Sequence, residues 1–329
     1  MSTDDMPARD AISTPLPWQR DTWENLIGLA EKNRLPHALL ISGEEGCGRR
    51  RFATALSRYL LCKTPVQGSN CGQCKNCVLS QSEGHSDWRW VAPIGKARGV
   101  GIDQIRDVIR FSAQTSALGQ FKIVVIHPAD GMTLAAANAF LKCLEEPAMD
   151  TLILLVTRSP AGVPATIRSR CQHVRLPTPS FDDALSWLAI LSGDEELAQR
   201  ALVAAKGRPL PADRLLTDDG ALQAAEAQHR QMSGVFAGKG DQTEVASMLS
   251  SMDAEAAVSD LLARLHHHLR ELSSEKLREQ KAHSLFALES RLRDLQRAIA
   301  GGATPQKDLL GASLACELTD ILGTGTSGW

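Results

Sequence analysis

The chain has 329 residues, of which 43% are hydrophobic, and a formal net charge of -2 at pH 7. This length accommodates two or three domains, and the near-neutral charge argues against a strongly basic protein that binds DNA by itself. No stretch is long and apolar enough to span a membrane, and the polar N-terminus has no apolar signal core, so we expect a cytoplasmic protein.

Residues 1–177 are predicted to form an α/β domain. Short apolar or β-branched segments, bounded by turn residues, are typical of buried parallel strands. Between them, apolar residues recur every three or four positions, as in amphipathic helices. The predicted strands are 37–42, 88–93, 121–128, 151–157 and 172–176. This alternation of strands and helices indicates a parallel sheet.

The strand pattern ends at the proline-containing segment LPTPS, 176–180. The chain beyond Phe181 has helical patterns only, and the first two predicted helices are each closed by a glycine. We therefore predict two further helical regions, a small one over 178–212 and a larger one over 213–329.

The segment GEEGCGRRRF (43–52) follows the first predicted strand and has the glycine spacing of a phosphate loop. Gly43, Gly46 and Gly48 would let backbone N–H groups approach phosphate oxygens. A working loop continues with a lysine for the phosphates and a Ser or Thr for Mg²⁺, but this sequence has Arg49 and Arg50. Arginine does not replace a point-charge lysine in a tight loop, and a guanidinium group repels a metal ion.

The end of the third predicted strand is also unsuited to ATP hydrolysis. Nucleotide hydrolases carry acidic residues here for Mg²⁺ and the attacking water, whereas this chain has His127 and Pro128. Histidine is a poor ligand for a hard cation. We expect ATP to be neither hydrolysed nor bound. Weak phosphate binding by Gly43, Gly46, Gly48 and Arg49 and a plain strand–helix turn are the alternatives.

Four cysteines lie at metal-ligand spacing. Cys62, Cys71, Cys74 and Cys77 form a C-x8-C-x2-C-x2-C pattern, and four thiolates from one short segment suit a structural, tetrahedral Zn²⁺ with bonds of about 2.3 Å. A ferredoxin-type iron–sulfur run would continue with x3-Cys-Pro, but Gln81 stands at that cysteine position. Zinc is the prediction; an iron–sulfur cluster and free cysteines are the alternatives.

Several segments together resemble bacterial clamp-loader subunits of the AAA+ superfamily, over most of residues 15–178. These are RLPHALLISGEEGCGR, the four-cysteine insert, GIDQIRDVIRF, AAANAFLKCLEEP and PATIRSRCQHVRLPTP. The resemblance implies an AAA+-type α/β domain over 1–177 with a zinc-binding insert at 62–77. It further implies a helical lid over 178–212 and an all-α oligomerisation (collar) domain over 213–329.

The resemblance also implies site residues. In clamp loaders the arginine of Ser169-Arg170-Cys171 is a finger that reaches the ATP site of the neighbouring subunit, where it stabilises charge on the transferred phosphoryl group. From spacing alone, an ordinary surface or salt-bridged arginine is the alternative. Thr157 stands at the family's sensor-1 position, and Arg208 lies near its sensor-2 region. This chain lacks the Lys and Ser/Thr of the phosphate loop and the acidic residues after the third strand, but keeps SRC. In this it resembles a non-hydrolysing subunit of the ring-shaped clamp-loader complex.

The implied partners are the motor subunits gamma/tau, the delta subunit, the sliding clamp, and primer–template DNA bound through the complex; no membrane is implied. Two other classes stay open. One is an active, gamma/tau-like ATPase that uses Arg49 in place of lysine. The other is a zinc-knuckle protein that binds nucleic acid on its own, against which the near-neutral charge argues.

Overall fold

The computed structural model describes residues 10–82, 84–95, 97, 99–118, 121–237, 239, 241–272, 280–300 and 303–323. Most of the polar N-terminus, residues 1–9, therefore lies outside the described residues. The chain divides into two compact units, Met1–Thr217 and Asp218–Trp329. Within the described ranges, no helix has both the length and the apolar composition that crossing a membrane would require.

The first unit contains a parallel five-stranded sheet, which confirms the predicted α/β fold class. The strands are β1 (Ala38–Ser42), β2 (Trp88–Val91), β3 (Lys122–Ile126), β4 (Thr151–Thr157) and β5 (Gln172–Arg175). Their order in the sheet is β2–β3–β4–β1–β5, and every pairing between these neighbours is parallel. Each strand lies inside the segment predicted for it.

Helices connect the strands and cover both faces of the sheet. They are α1 (Arg20–Glu31), α2 (Arg49–Leu61), α3 (Lys75–Gln81), α4 (Ile102–Ser112), α5 (Leu134–Glu145) and α6 (Ala165–Arg168). Successive strand residues point to opposite faces. In β1, Leu39 and Ile41 join one apolar cluster with Phe52 of α2, whereas Leu40 joins a second cluster with Phe140 of α5. Burial at every position explains why β1, β3 and β4 read as nearly continuous apolar runs, whereas β2 and β5 contain exposed polar residues.

Three more helices complete the first unit: α7 (Phe181–Ser192), α8 (Glu195–Ala204) and α9 (Pro209–Leu215). The side chains of Ser180 and Asp194 cap the first two by accepting from Asp183 N and Leu197 N. Helix α9 continues past residue 212, and the unit ends at Thr217. A division of this unit into a sheet domain (1–177) and a lid (178–212) stays a prediction.

The second unit is helical throughout its described residues. Its helices are α10 (Asp219–Phe236), α11 (Gln242–Ser251), α12 (Ala254–Glu271), α13 (Gln280–Ala300) and α14 (Lys307–Leu322). They share one apolar core, in which Val258, Leu292 and Leu318 are almost fully buried. The unit begins at Asp218, whereas the prediction placed the start of the last region at residue 213. Its role as an oligomerisation collar stays a prediction.

Candidate functional site

The phosphate-loop segment forms the turn between β1 and α2. Gly46 and Gly48 have φ values of +83° and +91°, a conformation that glycine adopts without strain and other residues rarely do. Helix α2 begins directly afterwards, at Arg49. The glycines therefore build the strand–loop–helix turn that the sequence predicted.

Arg49 folds back onto this loop. Its side chain donates from Nη1 to the carbonyl oxygen of Gly43 at 3.1 Å, and the residue is 6% exposed. A lysine at this position of a working loop would instead reach towards the β- and γ-phosphates. The Arg49 guanidinium is thus bound to a backbone carbonyl of its own loop.

The segment Leu16–Gln19 covers the other side of the loop. A Cβ atom on Gly48 would lie 2.4 Å from Leu16 Cδ1, so the two residues are in tight contact. Gln19 Nε2 and Trp18 Nε1 donate to the carbonyl oxygen of Cys47 at 2.7 and 3.0 Å. These contacts satisfy a loop carbonyl from within the chain.

Arg208, the residue near the sensor-2 region, lies beside the loop at the start of α9. Its Nη1 is 3.7 Å from Glu45 Oε1, and its Cβ lies 3.0 Å from where a Cβ on Gly46 would stand. Trp187 of α7 contacts Trp18 edge-on, with ring centroids 5.5 Å apart. Trp187 of α7 and Arg208 at the start of α9 therefore contact the loop and its cover directly.

His127 stands at the carboxyl end of β3, near the loop arginines. Burial, together with the positive charges of Arg50 and Arg49, lowers the pKa of His127 to about 3. The imidazole is therefore neutral at physiological pH. Histidine is a poor ligand for a hard cation such as Mg²⁺, and the loss of hydrolysis stays a prediction.

We expect this histidine to make the protein less stable in acid. Unfolded, His127 takes up a proton below about pH 6.5, whereas the folded protein keeps it neutral down to about pH 3. Its contribution to stability is thus complete above pH 6.5 and is lost as the pH falls, by about 2 kcal/mol at pH 5. Urea unfolding of the wild type and His127→Gln at pH 7 and pH 5 measures this. An equal pH dependence in both would contradict it.

Thr157, at the sensor-1 position, ends β4 and is fully buried. Its hydroxyl donates to Ser159 O at 3.0 Å and accepts from Ser159 N at 3.1 Å. The hydroxyl thus holds the turn that follows the strand, which is a structural role within this chain.

The four predicted cysteine ligands converge. The sulfur atoms of Cys62, Cys71, Cys74 and Cys77 all lie within 4.8 Å of one another, and two pairs are separated by 4.0 and 3.9 Å. Four sulfurs around one Zn²⁺ at about 2.3 Å would be roughly 3.8 Å apart. The donor set and its spacing therefore fit a structural zinc ion, which these four residues would hold without an open position.

The surroundings affect the four sulfurs differently. Cys62 Sγ accepts from Cys71 N at 3.2 Å, and Cys77 Sγ accepts from the Asn70 side chain at 3.4 Å. Burial raises the pKa of Cys62 to about 12, whereas hydrogen bonds from the Thr64 hydroxyl and from backbone N–H groups lower the pKa of Cys71 to about 6. A bound zinc ion would remove this difference, because a coordinating thiol is deprotonated outright.

The predicted finger, Arg170, lies between α6 and β5 on the surface of the first unit. Its side chain is 36% exposed, and Nη2 donates to Glu145 Oε1 at 2.5 Å. Nη1 donates to Thr166 O at 2.9 Å. The next residue, Cys171, is buried in the core, and burial raises its pKa to about 11, so its thiol stays protonated.

Two groups at these sites were not predictable from the sequence. The cover segment Leu16–Gln19 gave no signal except its proline-containing start, because its contact with Gly48 is a tertiary one. Glu145 was part of the segment AAANAFLKCLEEP, but nothing in the sequence joins it to Arg170, which is 25 residues away.

The sheet order and the glycine loop between β1 and α2 define a parallel α/β domain with the strand–loop–helix turn of phosphate-binding proteins. Residues 18–180 match a family profile described as "DNA polymerase III, delta subunit". Relatives named DNA polymerase III subunit delta' include the Pseudomonas aeruginosa protein, 39% identical over 201 residues, 60% of each chain. The Escherichia coli protein is 40% identical over 189 residues, 57% of this chain and 56% of the relative. Over residues 18–180 this chain is therefore similar to the delta' subunits of DNA polymerase III.

The match to these relatives is partial. The chain spans about three fifths of the length of the Pseudomonas aeruginosa relative, since the alignment covers 60% of that protein. A solved structure, a DNA polymerase III gamma subunit-related protein from Thermotoga maritima, is 20% identical with a TM-score of 0.45. That alignment covers 91% of this chain and 99% of the other.

Proposed function

We propose that this chain is a delta-prime-type clamp-loader subunit that does not hydrolyse ATP and supplies Arg170 to the ATP site of a neighbouring subunit. The observation that carries the proposal is the contrast between two arginines. Arg49 is buried and bonded to its own phosphate loop. Arg170 is partly exposed, on a surface of the same unit.

Arg170 suits this role chemically. A planar guanidinium carries several N–H donors and a permanent charge, which match phosphate oxygens. Placed at a neighbour's γ-phosphate, it would stabilise the charge that develops there during phosphoryl transfer. In the chain's own loop, by contrast, Arg49 donates to Gly43 O and His127 is neutral.

The proposal extends to the assembly. The helical second unit would join the collar of a ring with gamma/tau and delta, in the cytoplasm, and α7–α9 would act as the lid. The ring would open the sliding clamp and close it on primer–template DNA for the replicative polymerase. The relatives named DNA polymerase III subunit delta' and subunit tau support a place in the DNA polymerase III complex, and zinc in the four-cysteine module would be structural.

The isolated chain tests the first half of the proposal. We expect no ATP turnover above buffer and no rise in melting temperature with millimolar MgATP. The reason is that Arg49 and the segment Leu16–Gln19 already contact the phosphate loop. Bound ligand at 100 times its dissociation constant would add about 2.7 kcal/mol of stability, so binding would be visible. A turnover that disappears in Arg49→Ala would instead establish an active ATPase.

Salt-dependent DNA binding by the isolated chain tests the other alternative. Such binding would favour a zinc-knuckle protein that acts alone. The part played by Arg170 itself is measured in the reconstituted complex, with Arg170→Ala.

A further inference from the structure

The guanidinium of Arg170 is held from two directions. Glu145 Oε1 accepts from Nη2 at 2.5 Å. On the other side, Nη1 donates to Thr166 O at 2.9 Å and approaches Ser169 Oγ at 3.4 Å. An arginine fixed at both terminal nitrogens loses most of its rotamer freedom, although the pair stays at the surface, with the side chains 36% and 48% exposed.

The groups that hold Arg170 belong to ordered elements. Glu145 is the last residue of α5, and Thr166 belongs to α6. On the C-terminal side, Cys171 is buried in the same apolar cluster as Phe140 of α5. The backbone next to the arginine and the carboxylate that it contacts are therefore anchored in one core, so the geometry of the pair is set by the fold.

The position of Glu145 does not benefit its own helix. The C-terminus of a helix carries a partial negative charge, which disfavours a carboxylate in the last turn. Glu145 stands in that last turn and is exposed. The interaction that compensates for this placement is the ion pair with Arg170, so the carboxylate serves the arginine rather than the stability of α5.

We infer that Glu145 is a positioning residue for Arg170. It fixes the guanidinium in an outward conformation, from which N–H groups not bonded to Glu145 and Thr166 can meet an anionic phosphoryl group of a neighbouring subunit. This inference rests on the proposed function. An exposed ion pair is weak in water, so the Glu145 carboxylate weakens phosphate binding by Arg170 only slightly. An arginine that is already oriented, in turn, loses less conformational entropy when it contacts the transition state.

The test uses the complete clamp-loader complex, reconstituted with variants of this chain. ATP turnover stimulated by clamp and primed DNA gives kcat and KM for ATP. Glu145→Ala should lower kcat about two- to fivefold, the range that an exposed ion pair supports, with little change in KM. Glu145→Gln keeps an oxygen that accepts from Nη2 and should restore most of the rate. Glu146→Ala, which removes the adjacent exposed carboxylate, should match the wild type.

A double-variant cycle separates positioning from a general structural effect. If Glu145 acts through Arg170, then Glu145→Ala adds nothing in an Arg170→Ala background. A further loss in that background would overturn the inference. A faster rate in Glu145→Ala alone would also overturn it, because the carboxylate would then sequester the arginine instead of presenting it.

The same set of variants distinguishes this inference from the proposed function. A loss in Arg170→Ala together with a normal rate in Glu145→Ala removes only the positioning role. A normal rate in Arg170→Ala, in an assembled complex, removes the finger and with it the role of Glu145. Losses in both, non-additive and restored by Glu145→Gln, would support the two together.

Discussion

Replacing Arg170 by alanine is expected to slow ATP hydrolysis at the neighbouring subunit's site by at least about a hundredfold. Arginines supplied in trans contribute about 10³–10⁵-fold in other phosphoryl-transfer proteins, and the remaining catalytic groups of that site belong to the neighbour. Turnover of the whole complex should fall by the share that this one site contributes. The measurement is ATP hydrolysis by the reconstituted complex with clamp and primed DNA.

Assembly should survive this change. Arg170 is 36% exposed, and its partners Glu145 and Thr166 lie at the surface, so truncation leaves neither a core cavity nor a buried unpaired charge. Arg175→Ala, at another exposed arginine of the same region, is the matched control and should behave as the wild type. Arg170→Lys should recover little, because an ammonium group lacks the planar fork. Unchanged hydrolysis in an assembled Arg170→Ala complex would contradict the finger role.

The sheet was predictable because its signal is local. A parallel strand buried on both faces is predominantly apolar, so segments such as 121–128 and 151–157 stand out without knowledge of their neighbours. The strand order is not local, and the sequence alone predicted a parallel sheet without an order. The cysteine site was predictable for the same reason as the strands, since its four ligands come from one short segment.

The contacts that decide the state of the phosphate loop were not predictable. The sequence indicated that Arg49 is the wrong residue for phosphate chemistry, but not that it would donate to Gly43 O. Whether a long side chain turns inward or outward depends on the tertiary packing around it, which a local sequence pattern does not contain. Likewise, the pairing of Arg170 with Glu145 requires α5 and α6 to be in place first.

Loss of the predicted zinc ion is expected to unfold the four-cysteine module. Structural zinc contributes about 10–16 kcal/mol of apparent folding free energy in zinc-finger peptides, and residues 62–82 contain only one short helix, α3. Cys74→Ser should lower the metal content from about one zinc per chain and abolish protection of this segment from hydrogen exchange. Cys316→Ser, at an exposed cysteine of the second unit, should retain zinc and protection. Iron, or no metal in protein purified without chelator, would contradict the assignment.

The unfolding should spread to the start of the described chain. Asn70 accepts from Ser13 N at 2.7 Å and donates to Cys77 Sγ at 3.4 Å, so it links this segment to the metal ligands. Arg58, almost fully buried in α2, donates to Asp10 O, Ala11 O and Ser13 Oγ. Without the folded module, the segment loses the hydrogen bond from Ser13 N to Asn70 and keeps only its contacts with Arg58. The Ser13 amide should therefore exchange rapidly in Cys74→Ser but slowly in Cys316→Ser. Slow exchange at Ser13 in a zinc-free variant would contradict this, because it would mean that the N-terminal segment stays ordered without the module, through its contacts with Arg58 alone.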